Sequence, residues 1–218
     1  MRELPIRYQA SMVRAVLDGN KMQTRRIVKD QSDMEFDAND STYGPYWRSY
    51  ATEAHGEDAK VCCPYGKPGD RLWVQEAWRV SSAHNYLPPS QLPTGLTVEY
   101  LADSPGMFGG KTRPSIHMPR WASRITLEVT GVRVQRLQDI SEADAQAEGI
   151  TELPLQAGQP GAWWSASPVH PALHGRTPID AFRLLWESIY GQGSWHDNPM
   201  IWAITFKLIP TQLQSKHD

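Results

Sequence analysis

Cysteine is almost missing from this chain. Its 218 residues hold two, Cys62 and Cys63, side by side. Neighbouring cysteines rarely form a structural disulfide, and no C-x-x-C pair is present. This excludes a disulfide framework and a zinc-ribbon arrangement, and it fits reduced thiols in a cytoplasm. Long apolar runs are lacking too, and Met1-Arg-Glu-Leu-Pro5 carries no apolar signal core, so the expectation is a soluble cytosolic protein. There is no surplus of positive charge: 22 Lys and Arg stand against 24 Asp and Glu, for a net charge of −2. No global field therefore draws nucleic acid, and any such contact needs a local patch.

What is plentiful is tryptophan, with nine residues, and proline, with seventeen. Tryptophan at this density suits a packed core or a stacking surface, with core as the default. The length suits one domain with long insertions. We place that domain at residues 1–210, with insertions at about 29–66, 81–114 and 150–176 and a polar tail at 211–218. The first insertion shows no period and reads as a long loop.

Residues 4–8 read as a first strand and 11–18 as a helix capped by Ser11, which Gly19 ends. Next comes the densest functional stretch, Leu17-Asp-Gly-Asn-Lys-Met-Gln-Thr-Arg-Arg26. Lys21 and Thr24 fall on the turn or first strand residues, and their odd spacing requires a bend if they share a site. A lysine of lowered pKa can take the proton of a threonine hydroxyl and make it a nucleophile; a solvated turn lysine beside an ordinary strand threonine gives the same string.

Lys67-Pro-Gly-Asp70 is a type II-like turn feeding a strand from Arg71. Glu76 follows the buried face of that strand, where a carboxylate is costly unless paired, so it is a pocket candidate or an edge residue. His117, Arg120, Trp121 and Arg124 bring cations and a flat ring together, as a nucleobase and phosphate site would; a core tryptophan flanked by solvated arginines is the plainer reading. From Arg124 to Leu137 the alternation is the strongest strand signal, with Gly131 marking a bulge. Ser141 caps a helix running to Glu148 before Gly149, which sets an acid against the dipole at the helix C-terminus. Trp163-Trp164 suggests a lid. His170 and His174 stand at H-x-x-x-H spacing, but Pro171 argues against a helix and no further ligand is apparent, so no metal is expected. Thr177 and Pro178 open the clearest helix, which Gly191 ends, and residues 200–207 form a closing strand.

The pieces Gly19-Asn-Lys-Met-Gln-Thr-Arg-Arg26, Lys67-Pro-Gly-Asp-Arg-Leu-Trp-Val74, Ile125-Thr-Leu-Glu-Val-Thr-Gly-Val132, Asp139-Ile-Ser-Glu-Ala-Asp-Ala-Gln-Ala-Glu-Gly149 and Ile201-Trp-Ala-Ile-Thr-Phe-Lys207 occur in the order of an ASCH domain, which the chain resembles over most of its length. The resemblance implies an α+β, PUA-like small mixed β-barrel with flanking helices and loop insertions. The longer, Trp-rich build, with its Met118-Pro-Arg-Trp-Ala-Ser-Arg124 string, is similar to ASCH proteins of bacteriophages and prophages. One branch of the family deacylates N4-acetylcytidine and related acylated cytosines without metal or organic cofactor. By the motif match, Thr24 becomes the nucleophile, Lys21 its base and Glu148 the third member. Arg26 and Arg25, with Glu76, Arg120, Trp121 and Arg124, are then candidates for holding a nucleoside or RNA. Met22 and Gln23 depart from the smaller or β-branched residues expected between lysine and threonine. Two other expectations stay open: a non-catalytic RNA, DNA or modified-base binding module, and a virion or host-directed protein acting through its Trp-rich insertions.

Overall fold

A computed structural model describes residues 1–29, 31, 34–37, 46–49, 59–103, 106, 109–154, 161–167 and 171–210. Five strands form the main sheet: β1 (Glu3–Arg7), β2 (Gln23–Ile27), β3 (Arg71–Gln75), β4 (Thr126–Arg136) and β5 (Met200–Ile209). Their order is β1-β3-β4-β5-β2. β1 lies parallel to β3, with Leu4 opposite Leu72, and every other pairing is antiparallel. The helices are α1 (Ala10–Leu17), α2 (Glu142–Ala147) and α3 (Pro178–Tyr190). The class is α+β, as expected.

A closed barrel is not formed among the described residues. β1 and β2 end the sheet without pairing. Across the gap between them, Arg26 Nη2 donates to the Arg7 carbonyl at 2.7 Å. α1 joins these two edges in sequence and buries Val13 and Val16 in the core they share with Ile6 and Val28.

The strand pattern explains the layers. On one face Leu72, Val74, Leu127, Val129, Val132, Trp202, Ile204 and Phe206 make the main core with α1. On the other, Ile201 and Ala203 lie under Ala145, Phe182, Leu185 and Trp186. The apolar period of β4 slips by one between Val129 and Val132. The ladder shows why: Thr205 faces Gly131 while Phe206 faces Val129, so Thr130 is the extra residue of a bulge. A third cluster, Trp78, Val80, Leu92, Met118 and Ala122, sits where residues 81–114 fold back.

Two sequence expectations are corrected. α1 begins at Ala10 with Gln9 in the capping position and no side-chain cap, so Ser11 lies inside the helix. The first insertion is more than loop: Met34–Asp37, Tyr46–Ser49 and Ala59–Cys62 form an antiparallel three-stranded sheet. Four-residue strands of mixed composition are too short to show a period of two. In the last insertion Trp164–Ser165 pairs with Thr151–Glu152 and His174–Gly175, while His170 lies outside the described residues. Trp163 stacks on Arg176, with the guanidinium 3.9 Å from its ring. Among the described residues no helix is long and apolar enough to cross a membrane.

Candidate functional site

α1 ends in a tight reversal. Gly19 takes a φ of 74°, and the Asn20 and Lys21 amides both donate to the Ala15 carbonyl. The chain then meets the end of α2. Ser141 Oγ caps that helix by accepting from the Asp144 amide at 3.1 Å, and Gly149 closes it at a φ of 98°. Lys21 and Glu148 form an isolated antiparallel bridge, while the Met22 amide donates to the Ala147 carbonyl at 2.8 Å. Lys21 thus stands before β2 begins and escapes the strand's alternation. This is the bend that a shared site with Thr24 requires.

The side chains make a buried, alternating-charge network. Lys21 is 2 % exposed and Glu148 5 %. Lys21 Nζ donates to Glu148 Oε2 at 2.6 Å and to the Glu148 carbonyl at 2.8 Å. Arg25 Nη1 donates to the other carboxylate oxygen, Oε1, at 3.1 Å, and to Gln23 Oε1 at 2.6 Å. Asp144 takes Arg25 Nη2 at 3.1 Å, Gln23 Nε2 at 3.2 Å and Arg133 Nη2 at 3.0 Å. Two cations therefore offset the unfavourable place of Glu148 at a helix C-terminus. Burial pushes the Lys21 ammonium below its ordinary pKa; Glu148 pulls it back up, and Arg26 and Arg25 push it further down.

Tyr8, just past β1, is the common neighbour of the site. Lys21 Nζ lies 5.8 Å from its ring centroid and the Arg26 guanidinium 5.7 Å. The Tyr8 hydroxyl faces Thr24 but makes no hydrogen bond of full geometry with a described residue. Burial raises the phenol's pKa, against the pull of Arg26, so Tyr8 stays protonated.

Thr24 is buried, and it lines a narrow cleft with Met12, Arg25, Arg26 and Glu148 on one side. The other side is α3, through Phe182, Leu185, Trp186, Ile189 and Tyr190. The cavity is about 20 Å³, room for one water-sized group. Tyr190, at the end of α3, is part of this wall, its ring against Trp186 with centroids 4.2 Å apart. Burial raises the Tyr190 phenol's pKa, and Arg26 beside it pulls the other way.

Of the sequence candidates, Lys21, Thr24, Arg25, Arg26 and Glu148 come together here. The other four are engaged elsewhere. Arg124 forks onto Glu76 at 2.9 and 3.1 Å and onto Asp103 at 2.6 and 2.8 Å, with its guanidinium 3.9 Å from the Tyr100 ring. Glu76 is thus buried and paired; burial raises its pKa, Arg124 lowers it and Asp103 raises it. Arg120 pairs with Glu3 at 3.1 Å, and Trp121 packs edge-on against Trp78 at 6.1 Å. None of the four lines the Thr24 cleft. Sequence reasoning missed Tyr8, Gln23, Asp144 and the α3 wall. One signal was available: aspartate stands where a capping box prefers glutamate, and its carboxylate turns to Arg25 and Arg133 rather than to the cap.

The chain matches no protein-family model, no curated protein and no solved structure.

Proposed function

We propose that this chain is an ASCH-type, PUA-like domain acting as a metal-independent amidohydrolase that removes the acyl group from N4-acetylcytidine or a related N-acylated cytosine nucleoside. The observation that carries the reading is the state of Lys21: buried, lowered in pKa and held by Glu148, with its Nζ 5.8 Å from the centre of the Tyr8 ring, whose hydroxyl faces Thr24. A neutral lysine amine has two N–H donors and one lone pair. On this reading the two Glu148 acceptors take the two donors of the amine once it has given up its proton, and its lone pair serves the Thr24 hydroxyl.

In this mechanism Lys21 takes the Thr24 proton as Oγ attacks the acyl carbonyl. The tetrahedral adduct collapses by breaking the C–N4 bond, and the leaving amine takes the proton from the Lys21 ammonium. Water then attacks the threonyl ester, passing a proton through Lys21 back to Thr24, and the carboxylic acid departs. Glu148 orients the lysine and stabilises its protonated form. A cavity of about 20 Å³ does not hold a nucleoside, so the reading requires the end of α3 at Ile189 and Tyr190 to swing aside for the cytosine ring. The internal pairing of Arg120 and Arg124 withdraws support from a purely nucleic-acid-binding role.

The test is hydrolysis of N4-acetylcytidine, followed as loss of the acetylated chromophore, by the wild type and by Thr24→Ala, Lys21→Ala and Glu148→Ala. Turnover in the wild type that each substitution abolishes in a folded protein supports the reading. A wild type inert on both the nucleoside and acetylated RNA ends it.

A further inference from the structure

The cations around the Thr24 cleft are unequally matched. Lys21 and Arg25 share the Glu148 carboxylate, and Arg25 and Arg133 share Asp144. Arg26, half-buried in the cleft wall, has no carboxylate within ion-pair distance among the described residues. Its hydrogen bond to a described residue goes to a neutral acceptor, the Arg7 carbonyl at 2.7 Å. Two rings flank the guanidinium, with the Tyr8 centroid at 5.7 Å and the Tyr65 centroid at 5.9 Å. Rings hold a cation in place without neutralising it. Four positive groups, Lys21, Arg25, Arg26 and Arg133, thus stand against two carboxylates, Glu148 and Asp144. The whole chain carries a net charge of −2, so this local surplus runs against the composition. A guanidinium left charged, framed and partly desolvated is suited to phosphate oxygens.

The strand sets the spacing. Thr24 and Arg26 are two residues apart on β2, so their side chains share a face and stand about 7 Å apart along the strand. Tyr8 meets both from the end of β1, its hydroxyl toward Thr24 and its ring toward Arg26. A ligand that reacts at Thr24 and carries an anion at its other end is therefore held twice by one strand. We infer that the substrate of this cleft is phosphorylated, an N4-acylated cytidine monophosphate whose phosphate pairs with Arg26. The inference rests on the amidohydrolase reading for the base and acyl group, and on Arg26 for the phosphate. A mononucleotide fits better than RNA. One unpaired cation at the cleft matches one phosphate, whereas a polynucleotide needs a track of them. Arg120 and Arg124 supply no such track, since they are bound to Glu3, Glu76 and Asp103.

The experiment measures equilibrium binding of cytidine and of cytidine 5′-monophosphate to the full chain by calorimetry. Both are deacylated forms, so binding is read whether or not hydrolysis occurs. The monophosphate should bind about tenfold or more tightly than cytidine, the gain of one charge-assisted hydrogen bond. Rising salt should narrow that gap. Arg26→Gln should bring it close to unity. Arg26→Met keeps a long stem against the two rings and serves if Arg26→Gln does not fold; the same collapse is expected. Equal affinity for the two ligands, no measurable binding of the monophosphate, or a preference unchanged in the folded variant overturns the inference. Pentacytidylate that binds more tightly per cytidine than the monophosphate overturns the choice of a mononucleotide. Hydrolysis of the two N4-acetylated ligands is followed alongside. An Arg26-dependent preference without hydrolysis of either keeps the phosphate site and removes the deacylase reading. Thr24-dependent hydrolysis of both at equal kcat/KM, with equal binding, does the reverse.

Discussion

Lys21 and Glu148 meet twice, once through their backbones as a lone antiparallel bridge and once through their side chains, with Nζ 2.6 Å from Oε2. The residues are 127 positions apart in the chain. The double contact ties the end of α2 to the start of β2 and fixes the amine that the proposed chemistry uses.

Glu148→Gln should therefore cost stability and shift chemistry together. It leaves Lys21 and Arg25 buried without their shared carboxylate, at a cost of about 3 kcal/mol or more. Removing the group that holds the Lys21 pKa up lets it fall further. On the proposed mechanism the acid limb of the kcat/KM profile moves to lower pH. A denaturant melt and a pH–rate profile measure the two effects, and a purely structural Glu148 would show only the first.

Gly149→Ala reaches the same lysine from the backbone. The position holds a φ of 98°, and a Cβ would stand 3.0 Å from Ala15 Cβ and 3.3 Å from Lys21 Cβ. Backbone strain of about 1–3 kcal/mol is expected. The loss of turnover should exceed the loss seen in variants destabilised equally elsewhere, because Lys21 itself is displaced.

Asp70→Asn tests the K-P-G-D turn. Burial alone would raise the Asp70 carboxyl, but the Arg2 and Lys67 amides and the Arg2 guanidinium outweigh it and hold the pKa below the usual range. A carboxylate depressed in the folded state binds its proton more tightly when unfolded. Its contribution is present above the unfolded pKa and is lost as pH falls through the folded value. The substitution should cost about 2 kcal/mol at neutral pH. The gap between variant and wild-type denaturation midpoints should close as the pH is taken below 3.8, the ordinary carboxyl value.

Arg124→Gln separates the second charged cluster from the first. Glu76 would be left with a 2 % exposed side chain and no guanidinium. Stability should fall by about 3 kcal/mol, with part of it recovered when Glu76→Gln is added. Thr24-dependent turnover in the folded fraction should keep its KM, since Arg124 does not line the cleft.

The local features were legible because they are local. The Thr177 cap, the Ser141 cap, the Gly19 turn and the slip in the β4 period each lie within a few residues of sequence. Side-chain periods name a buried face but not its partner. Gln23 meets Asp144 across 121 positions, and no pattern in either segment encodes that meeting. Arg124 reads as a free cation in sequence and is bound on two sides in the fold, because Asp103 comes from a distant loop. The grouping of Lys21, Thr24 and Glu148 came from motif resemblance, while Tyr8 and the α3 wall needed coordinates. The expected closed barrel is not formed among the described residues, where β1 and β2 end the sheet, because strand-forming composition does not reveal whether two edges pair.

That unclosed seam has a dynamic consequence. Between β1 and β2, among the described residues, side-chain contacts such as Arg26 to the Arg7 carbonyl stand in place of a ladder, and the strand bearing Thr24 is one lip of the gap. Parting the lips breaks side-chain contacts and leaves every interstrand ladder intact, so this region can breathe at a free energy well below that of global unfolding. Amide hydrogen exchange should resolve two populations: amides bonded within the β4–β5 and β5–β2 ladders, which exchange only with larger-scale unfolding, and those β2 amides that point to the gap instead of to β5, which exchange through the seam. The Thr24 cleft would then alternate between sealed and accessible while the rest of the sheet stays folded.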